Sequence, residues 1–203
     1  MKRASITSTP KGQPKLREAQ TGLTRQRISE AAASLLEEGG EAGAITFKAV
    51  AERAGVTEMT VYRHFPSRND LMHGLWRHLN ERMGKGLGMP ESASALLAQH
   101  DALFAGFDAI APQIIASITT PQGRDMRAAL NRERRKAFTG IVAEVAPGLS
   151  GARQTAAAAV LQLLHSAYAW DSMRLHWGLD GRQAGDAAKW AIGILLQELR
   201  RKK

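Results

Sequence analysis

Apolar residues recur at helical spacing along most of this 203-residue chain, and this pattern constrains the fold more than any other feature. Residues 28–36 place isoleucine, alanine and leucine at i, i+3, i+4, i+7 and i+8, a series that lines one face of a helix. A similar helical series, at i, i+4, i+7, i+8 and i+11, occurs over residues 188–199, near the C-terminus. No segment shows the sustained alternation of apolar and polar residues that a half-buried strand requires. The sequence therefore predicts an all-α fold.

The segment that follows the first helix contains two predicted helix N-caps and a tight turn. Thr46 can cap the helix "FKAVAERA", and Thr57 can cap the helix "EMTVYRHF". A Gly-Val pair at positions 55–56 supplies the turn between them. Val61 and Phe65 lie four residues apart and would hold the later helix on its scaffold. Two helices joined in this way predict a helix-turn-helix, whose second helix enters the major groove of DNA.

Changes in composition divide the chain into three parts. Residues 1–20 carry five Lys or Arg against one acid and no apolar periodicity, which predicts a disordered basic arm that either reaches DNA or stays solvated. Residues 21–70 form the helix-turn-helix unit. Ser67 and Asp70 fit a capping box that opens a fourth helix. Residues 71–203 are expected to form a larger helical bundle.

Charge and cysteine content narrow the class of protein. The formal net charge of +9 favours a polyanionic partner, although residues 21–80 hold seven charges of each sign. The absence of cysteine excludes disulfides and thiolate chemistry. The first residues lack the apolar region of a signal peptide, and no run of eighteen apolar residues occurs. We therefore expect a soluble, cytoplasmic protein that binds no membrane.

The candidate DNA contacts are polar or protruding side chains on the two helices of the unit and at the start of the fourth. They are Thr46, Lys48, Thr57, Glu58, Met59, Thr60, Tyr62, Arg63, His64 and Arg68. The residues at the leading end of the third helix would reach base edges, while Tyr62 and His64 suit phosphate oxygens. Glu58 either accepts a hydrogen bond from cytosine or interacts with its own helix N-terminus. Met59 offers only an apolar contact.

The segment Ile45 to Met72, "ITFKAVAERAGVTEMTVYRHFPSRNDLM", resembles the DNA-binding signature of TetR-type transcriptional regulators. The matching elements are "AERAGV", a threonine cap, "VYRHF" and "PSRNDL". Many relatives carry lysine where this chain has Arg68, so the charge is kept while its phosphate geometry differs. Beyond residue 80 the resemblance is mostly architectural, and "SAYAWDSMRLHWGLDGRQAGDAAKWAIGILLQEL" is similar to the last two helices of that family.

This resemblance implies partners that the residues alone do not specify. A TetR-type protein forms a homodimer through its last two helices and binds a palindromic operator in double-stranded DNA. Its second domain, here residues 71–203, binds a small-molecule effector and carries the dimer contacts. A single helix-turn-helix makes few base contacts, and this independently favours a dimer.

Candidate effector contacts are histidine, aromatic and methionine side chains of the bundle. They are His100, Phe104, Phe107, His165, Tyr168 and Met173. Each of them could instead be a core or dimer contact. The chain contains no HExxH, CxxC or GxSxG motif, so we expect no metal, no cofactor and no catalytic residues. The run "RERRK", Arg132 to Lys136, is expected to be a solvated helix face.

The primary hypothesis is a sequence-specific transcriptional regulator, a ligand-responsive repressor rather than an enzyme. One alternative is a helical ligand-binding protein or enzyme with a non-functional helix-turn-helix, whose site would contain His100 with Asp101, and His165. Against it, the chain retains Tyr62, His64 and the cation at position 68. A further alternative is a nonspecific basic nucleoid protein, with DNA affinity that falls steeply with salt.

Overall fold

The structure, a computed structural model, describes residues 13–39 and 44–201. Within these residues the backbone forms eleven helices and no strand, which confirms the all-α prediction. In chain order the helices are α1 (Gln13–Glu38), α2 (Phe47–Ala54), α3 (Glu58–His64), α4 (Arg68–Met83), α5 (Ala93–Ala109), α6 (Ala111–Thr119), α7 (Pro121–Ala129), α8 (Asn131–Val145), α9 (Gly151–Leu164), α10 (Ala167–Trp177) and α11 (Gly181–Arg201).

The ends of α2 follow the signals that the sequence carries. The Thr46 hydroxyl accepts a hydrogen bond from the N–H of Ala49 at 3.0 Å, so Thr46 is the N-cap. Gly55 follows the helix with φ of 62°, in the left-handed region, and its N–H donates to the carbonyls of Ala51 and Glu52. This left-handed residue turns the chain from α2 into α3.

Helix α1 begins earlier than the sequence predicted. We expected residues 1–20 to form a disordered arm, but residues 13–20 belong to α1, and residues 1–12 lie outside the described residues. Pro14 falls in the first turn of the helix, where backbone N–H groups have no intrahelical partner. A proline at this position is therefore compatible with a helix start.

Residues 151–177 form two helices, which are separated at His165 and Ser166. Ser166 has extended backbone angles, and its hydroxyl donates to the carbonyl of Leu163 at 2.7 Å. Such a local bond competes with continuation of the helix. The break separates α9 from α10, and His165 at this break is buried.

Two clusters of buried residues fill the molecule. One joins the helix-turn-helix to the adjoining part of the bundle and includes Phe65, Leu75 and Trp170. The other, around Phe138 and Ile192, lies among α5, α8, α9 and α11. Helix α4 packs on α1, α5 and α7, so the two parts that meet at residue 70 share one continuous core.

Helices α5 and α6 run through this interior and meet at a bend of 93°. By length and apolar composition they could cross a membrane only as this bent pair, and no single described helix could do so.

Candidate DNA interface and effector cavity

Helix α3 begins with a threonine N-cap and an exposed leading end. The Thr57 hydroxyl accepts a hydrogen bond from the N–H of Thr60 at 3.2 Å, and the two threonine hydroxyls lie 2.9 Å apart. Glu58 is exposed in the first turn, where its carboxylate interacts favourably with the helix dipole and remains accessible to a base. The side chain of Met59 is 76% exposed, which is an unusually large exposed fraction for a flexible apolar side chain. These residues form a protruding surface.

Helix α3 packs on α2, and the buried Phe65 that directly follows it packs against α1 and α4. Val61 and Phe65 are fully buried, as their four-residue spacing predicted. The ring of Phe65 packs so closely on α4 that a Cβ at Gly74 would lie 2.3 Å from its Cε1 atom. The guanidinium of Arg25 lies 4.7 Å from the centroid of the same ring, at cation–π distance. The position of α3 therefore depends on these neighbouring helices.

Tyr62 is exposed but fixed by a ring partner. Its ring stacks on Phe47 of α2 with a centroid separation of 4.0 Å and an interplanar angle of 7°. Because stacking restricts the side chain before any ligand arrives, less conformational entropy is lost when Tyr62 binds a phosphate. Phe47 therefore supports a candidate DNA contact.

The end of α3 and the beginning of α1 enclose an open cleft of about 510 Å³. It is lined by Gln20, Thr21, Thr24, Arg63 and His64. Burial lowers the pKa of His64 below its usual value, and the positive charges of Arg63 and Arg25 lower it further. Sequence reasoning missed the α1 residues, although the four-residue spacing of Gln20 and Thr24 places them on one face.

The two candidates on or before α2 are also exposed. Thr46 uses its hydroxyl as the N-cap, while Lys48 forms no ion pair among the described residues. Their exposure makes both accessible to a phosphate group.

Arg68 differs from the other candidate contacts because it has partners within the protein. Its guanidinium donates to the carbonyl of Ile45 at 2.8 Å and forms an ion pair with Asp125 of α7, also at 2.8 Å. A phosphate contact by Arg68 would therefore compete with Asp125. The side chain ties the start of α2 and α4 to the bundle.

Two buried histidines meet in the bundle. The Nδ1 atoms of His100 and His165 lie 2.9 Å apart, so one ring donates to the other. Burial lowers the pKa of His100 to about 4. Burial, and next the charge of His100, lowers the pKa of His165 to about 3. Both rings are therefore neutral at neutral pH, and His100 stacks on Phe104 at 4.5 Å.

Asp101 does not join this pair. Its carboxylate forms an ion pair with Lys189 of α11 at 2.5 Å, at the surface. The His100–Asp101 site considered from the sequence is therefore not assembled, and His100 has His165 as its partner instead.

The candidate effector residues do not share one cavity. Phe107 and His165 line a small cavity of about 50 Å³ between α4, α5, α8 and the α9–α10 break. Phe104 is fully buried in the core, Met173 packs on that core, and Tyr168 is 42% exposed. Ligand pockets usually measure roughly 300–1,000 Å³, so this cavity is smaller than a typical ligand site.

No group of three or more potential metal ligands of the histidine, cysteine, aspartate or glutamate type is found within the described ranges.

Comparison with known proteins identifies the helix-turn-helix. Residues 28–75 match the family model described as "Bacterial regulatory proteins, tetR family". The chain is similar to the nucleoid occlusion factor SlmA of Vibrio vulnificus (strain YJ016) and of Vibrio cholerae serotype O1, with 37% identity over 59 residues for each. SlmA of Aliivibrio fischeri (strain MJ11) is 39% identical over 57 residues.

These similarities are partial. The matched segments make up 29%, 29% and 28% of this chain, and the chain spans 30%, 30% and 29% of the length of these curated relatives. The family match covers the helix-turn-helix, and the similarity to the relatives extends over a segment of comparable length.

Proposed function

Through residues 28–75 the chain belongs to the TetR family of bacterial regulatory proteins, and on this premise we propose that it represses transcription as a sequence-specific homodimer. The observation that carries this proposal is the geometry of α3. Its leading end, with Met59 76% exposed, projects from a helix whose other face is fixed by Val61 and Phe65. Such a rigid, protruding helix suits insertion into the major groove.

In this proposal some residues of α3 contact bases and others contact phosphates. The N-terminal turn, residues 57–60, contacts base edges, and the apolar side chain of Met59 packs against a thymine methyl group. Tyr62 and His64 contact phosphates, and Arg63 contacts either a phosphate or a guanine. Thr46, Lys48 and the α1 side of the cleft add backbone contacts. Arg68 contributes indirectly, because its side chain fixes the start of α4 relative to the start of α2.

Exposed apolar side chains on α9, α10 and α11 support the homodimer. They are Val160, Leu163, Leu175, Trp177, Trp190 and Ile194. Several large apolar side chains exposed on neighbouring helices favour an interaction site over a solvated face. Pairing of these helices about a two-fold axis would place two α3 helices in successive major grooves, about 34–36 Å apart. A palindromic operator follows from this symmetry.

The ligand response belongs to the same proposal. An effector that binds one dimer conformation more tightly shifts the population toward it, and a changed spacing of the α3 helices releases the operator. The small cavity beside Phe107 and His165 is the site where such an effector would bind, and it would have to expand to hold one. We propose that this takes place in the cytoplasm, where the chromosomal DNA is accessible.

Selection of genomic DNA fragments by the purified protein at about 0.15 M salt tests the proposal. We expect one palindromic sequence, with affinity reduced about five- to tenfold by Tyr62→Phe, which removes one hydroxyl but keeps the stack on Phe47. Arg63→Ala should also weaken binding, whereas Arg135→Ala, at an exposed position on α8, serves as the matched control. Recovery of fragments without a common sequence, or of no DNA, would contradict the proposal.

A further inference from the structure

Two arginines of the bundle occupy unusual positions on either side of the α7–α8 junction. Arg127 of α7 is only 8% exposed. Arg134 of α8 lies in the segment "RERRK", which was expected to be a solvated helix face. It is nevertheless partly buried, whereas Arg132 and Arg135 of the same segment are exposed. Because arginine is rarely buried without a partner of opposite charge, these two residues require an explanation.

Neither guanidinium has an acidic partner. Among the described residues no carboxylate forms an ion pair with Arg127 or Arg134. Glu133 precedes Arg134 in the sequence and attracts its charge. The ion pair of Glu133, however, is with Arg132, at 3.6 Å. Within the part of the chain that the structure describes, the positive charges of Arg127 and Arg134 therefore have no ion-pair partner.

The contacts that the two arginines make leave one donor of Arg134 free. The guanidinium of Arg127 lies 4.8 Å from the ring centroid of Tyr168. One nitrogen of Arg134 donates to the carbonyl of Arg127 at 3.2 Å and to Asn131 Oδ1 at 2.7 Å. Its other terminal nitrogen, Nη2, is buried and has no hydrogen-bond partner. Burial, followed by repulsion from Arg127, lowers the pKa of Arg134 to about 10, so the group remains protonated at neutral pH.

Space for a ligand lies on both sides of these arginines. On the solvent side is a groove of about 240 Å³, where Arg124, Asn131 and Tyr168 are also found. On the inner side is the cavity of about 50 Å³, which has an apolar wall that includes Trp76 and Phe138. Arg127, Arg134 and Gln162 line both spaces, and neither lining contains a carboxylate.

We propose that Arg127 and Arg134 bind the oxyanion, a carboxylate or phosphate, of a small organic effector whose apolar part enters the adjoining cavity. Planar guanidinium groups match such oxyanions with paired hydrogen bonds, and the free Nη2 of Arg134 supplies one of them. Gln162 on the shared wall can donate a further bond. Entry of the apolar part would expand this small cavity. This inference rests on the proposed ligand-responsive function and adds the chemical class of the ligand.

Thermal unfolding with defined probes tests this site. Sodium benzoate, sodium octanoate and phenyl phosphate are compared with neutral benzamide and sodium chloride at constant ionic strength. We expect at least one organic anion to raise the Tm above that in chloride and benzamide to have no effect, since benzamide lacks the charge. Preference for phenyl phosphate over the two carboxylates would identify the oxyanion as phosphate, and the reverse preference would identify it as carboxylate.

Arg134→Met and Arg127→Met should each weaken binding of the effective anion about tenfold or more, because a charge-assisted pair is lost. Arg135→Met is the matched control, one position away and exposed, and should bind as the wild type does. In the absence of anion, Arg134→Met should keep or raise the Tm, since it removes a buried charge without a counterion. A purely structural arginine would instead lower the Tm.

The inference is overturned if no organic anion raises the Tm more than chloride does, or if Arg135→Met weakens binding as much as Arg134→Met. Operator binding is measured on the same samples. Specific DNA binding without an anion response would refute this inference alone. An anion response without DNA binding would refute the proposed function and leave the anion site standing.

Discussion

The guanidinium of Arg68 pairs with the carboxylate of Asp125 at 2.8 Å and joins the first turn of α4 to α7. Fifty-seven positions separate the two residues in the chain. The same guanidinium donates to the carbonyl of Ile45, immediately before the N-cap of α2. One side chain therefore connects the helix-turn-helix with the helix that carries Arg127.

Disruption of this connection should be measurable as a coupling energy. Both partners are about half exposed, so their interaction should contribute about 0.2–1 kcal/mol to the free energy of unfolding. Arg68→Ala should destabilise more than Asp125→Asn, because it also removes the bond to Ile45. Urea denaturation of the two single variants and the double variant gives the coupling directly. Additive effects of the two substitutions would show that the pair contributes nothing in solution.

DNA affinity should depend on pH through His64. In the free protein its pKa lies below the usual value, because of burial and then the charges of Arg63 and Arg25, so the ring is neutral at pH 7. A bound phosphate favours the protonated ring and raises that pKa, so binding takes up a proton. Affinity should therefore increase as the pH falls from 8 to 6, by less than about tenfold per unit.

Fluorescence anisotropy with labelled operator at constant ionic strength measures this dependence. His64→Gln should bind with a flatter pH profile. His176→Gln, at an exposed position on α10, should keep the wild-type profile. A wild-type affinity that does not change with pH would exclude a phosphate contact by His64.

Stability should fall in acid because of the buried histidine pair. His100 and His165 have pKa values of about 4 and about 3 in the folded protein, against 6.5 in the unfolded chain. Below pH 6.5 the unfolded chain binds more protons, so the free energy of unfolding decreases as the pH falls toward the folded values. At pH 5 the loss should be roughly 2 kcal/mol for each histidine.

Thermal unfolding at pH 7, 6 and 5 provides the measurement. His165→Gln should destabilise the protein at pH 7 but reduce the slope of stability against pH. His176→Gln should leave that slope unchanged, because the side chain is exposed. If the wild-type Tm is the same at pH 7 and pH 5, the pair is not neutral and buried as described.

Local features of this fold could be predicted from the sequence, since neighbouring residues determine them. The Thr57 cap is present as predicted, and the capping box is complete, with Ser67 and Asp70 exchanging hydrogen bonds at 3.0 and 3.1 Å. The burial of Val61 and Phe65 follows from spacing alone.

Features that depend on distant contacts could not be predicted. The pairing of Arg68 with Asp125 and of His100 with His165 requires the packing of separate helices. The burial of Arg134 within an otherwise solvated charge run arises from its position beside α7 and α9, which no spacing rule specifies. The α1 contribution to the cleft beside His64 was missed for the same reason.

The C-terminal helix offers the most direct test of the homodimer. Ala188 and Ile192 are buried on one face of α11, while Trp190 and Ile194, also four residues apart, are 70% and 47% exposed on another. A helix with apolar residues on two faces is expected to bury both of them. Trp190→Glu should therefore place a carboxylate in the interface and raise the dimer dissociation constant at least about thirtyfold, equivalent to roughly 2 kcal/mol.

Sedimentation velocity over a range of protein concentrations would show this shift from dimer to monomer, with helical content checked by circular dichroism. Operator affinity should fall in parallel, because a monomer contacts only one half-site. Ile115→Glu, which adds the same charge at a 39% exposed position on α6, is the control and should remain dimeric. A Trp190→Glu protein that sediments as the wild type does would place the dimer interface elsewhere, because an unpaired carboxylate cannot be buried in a two-fold contact without a large loss of affinity.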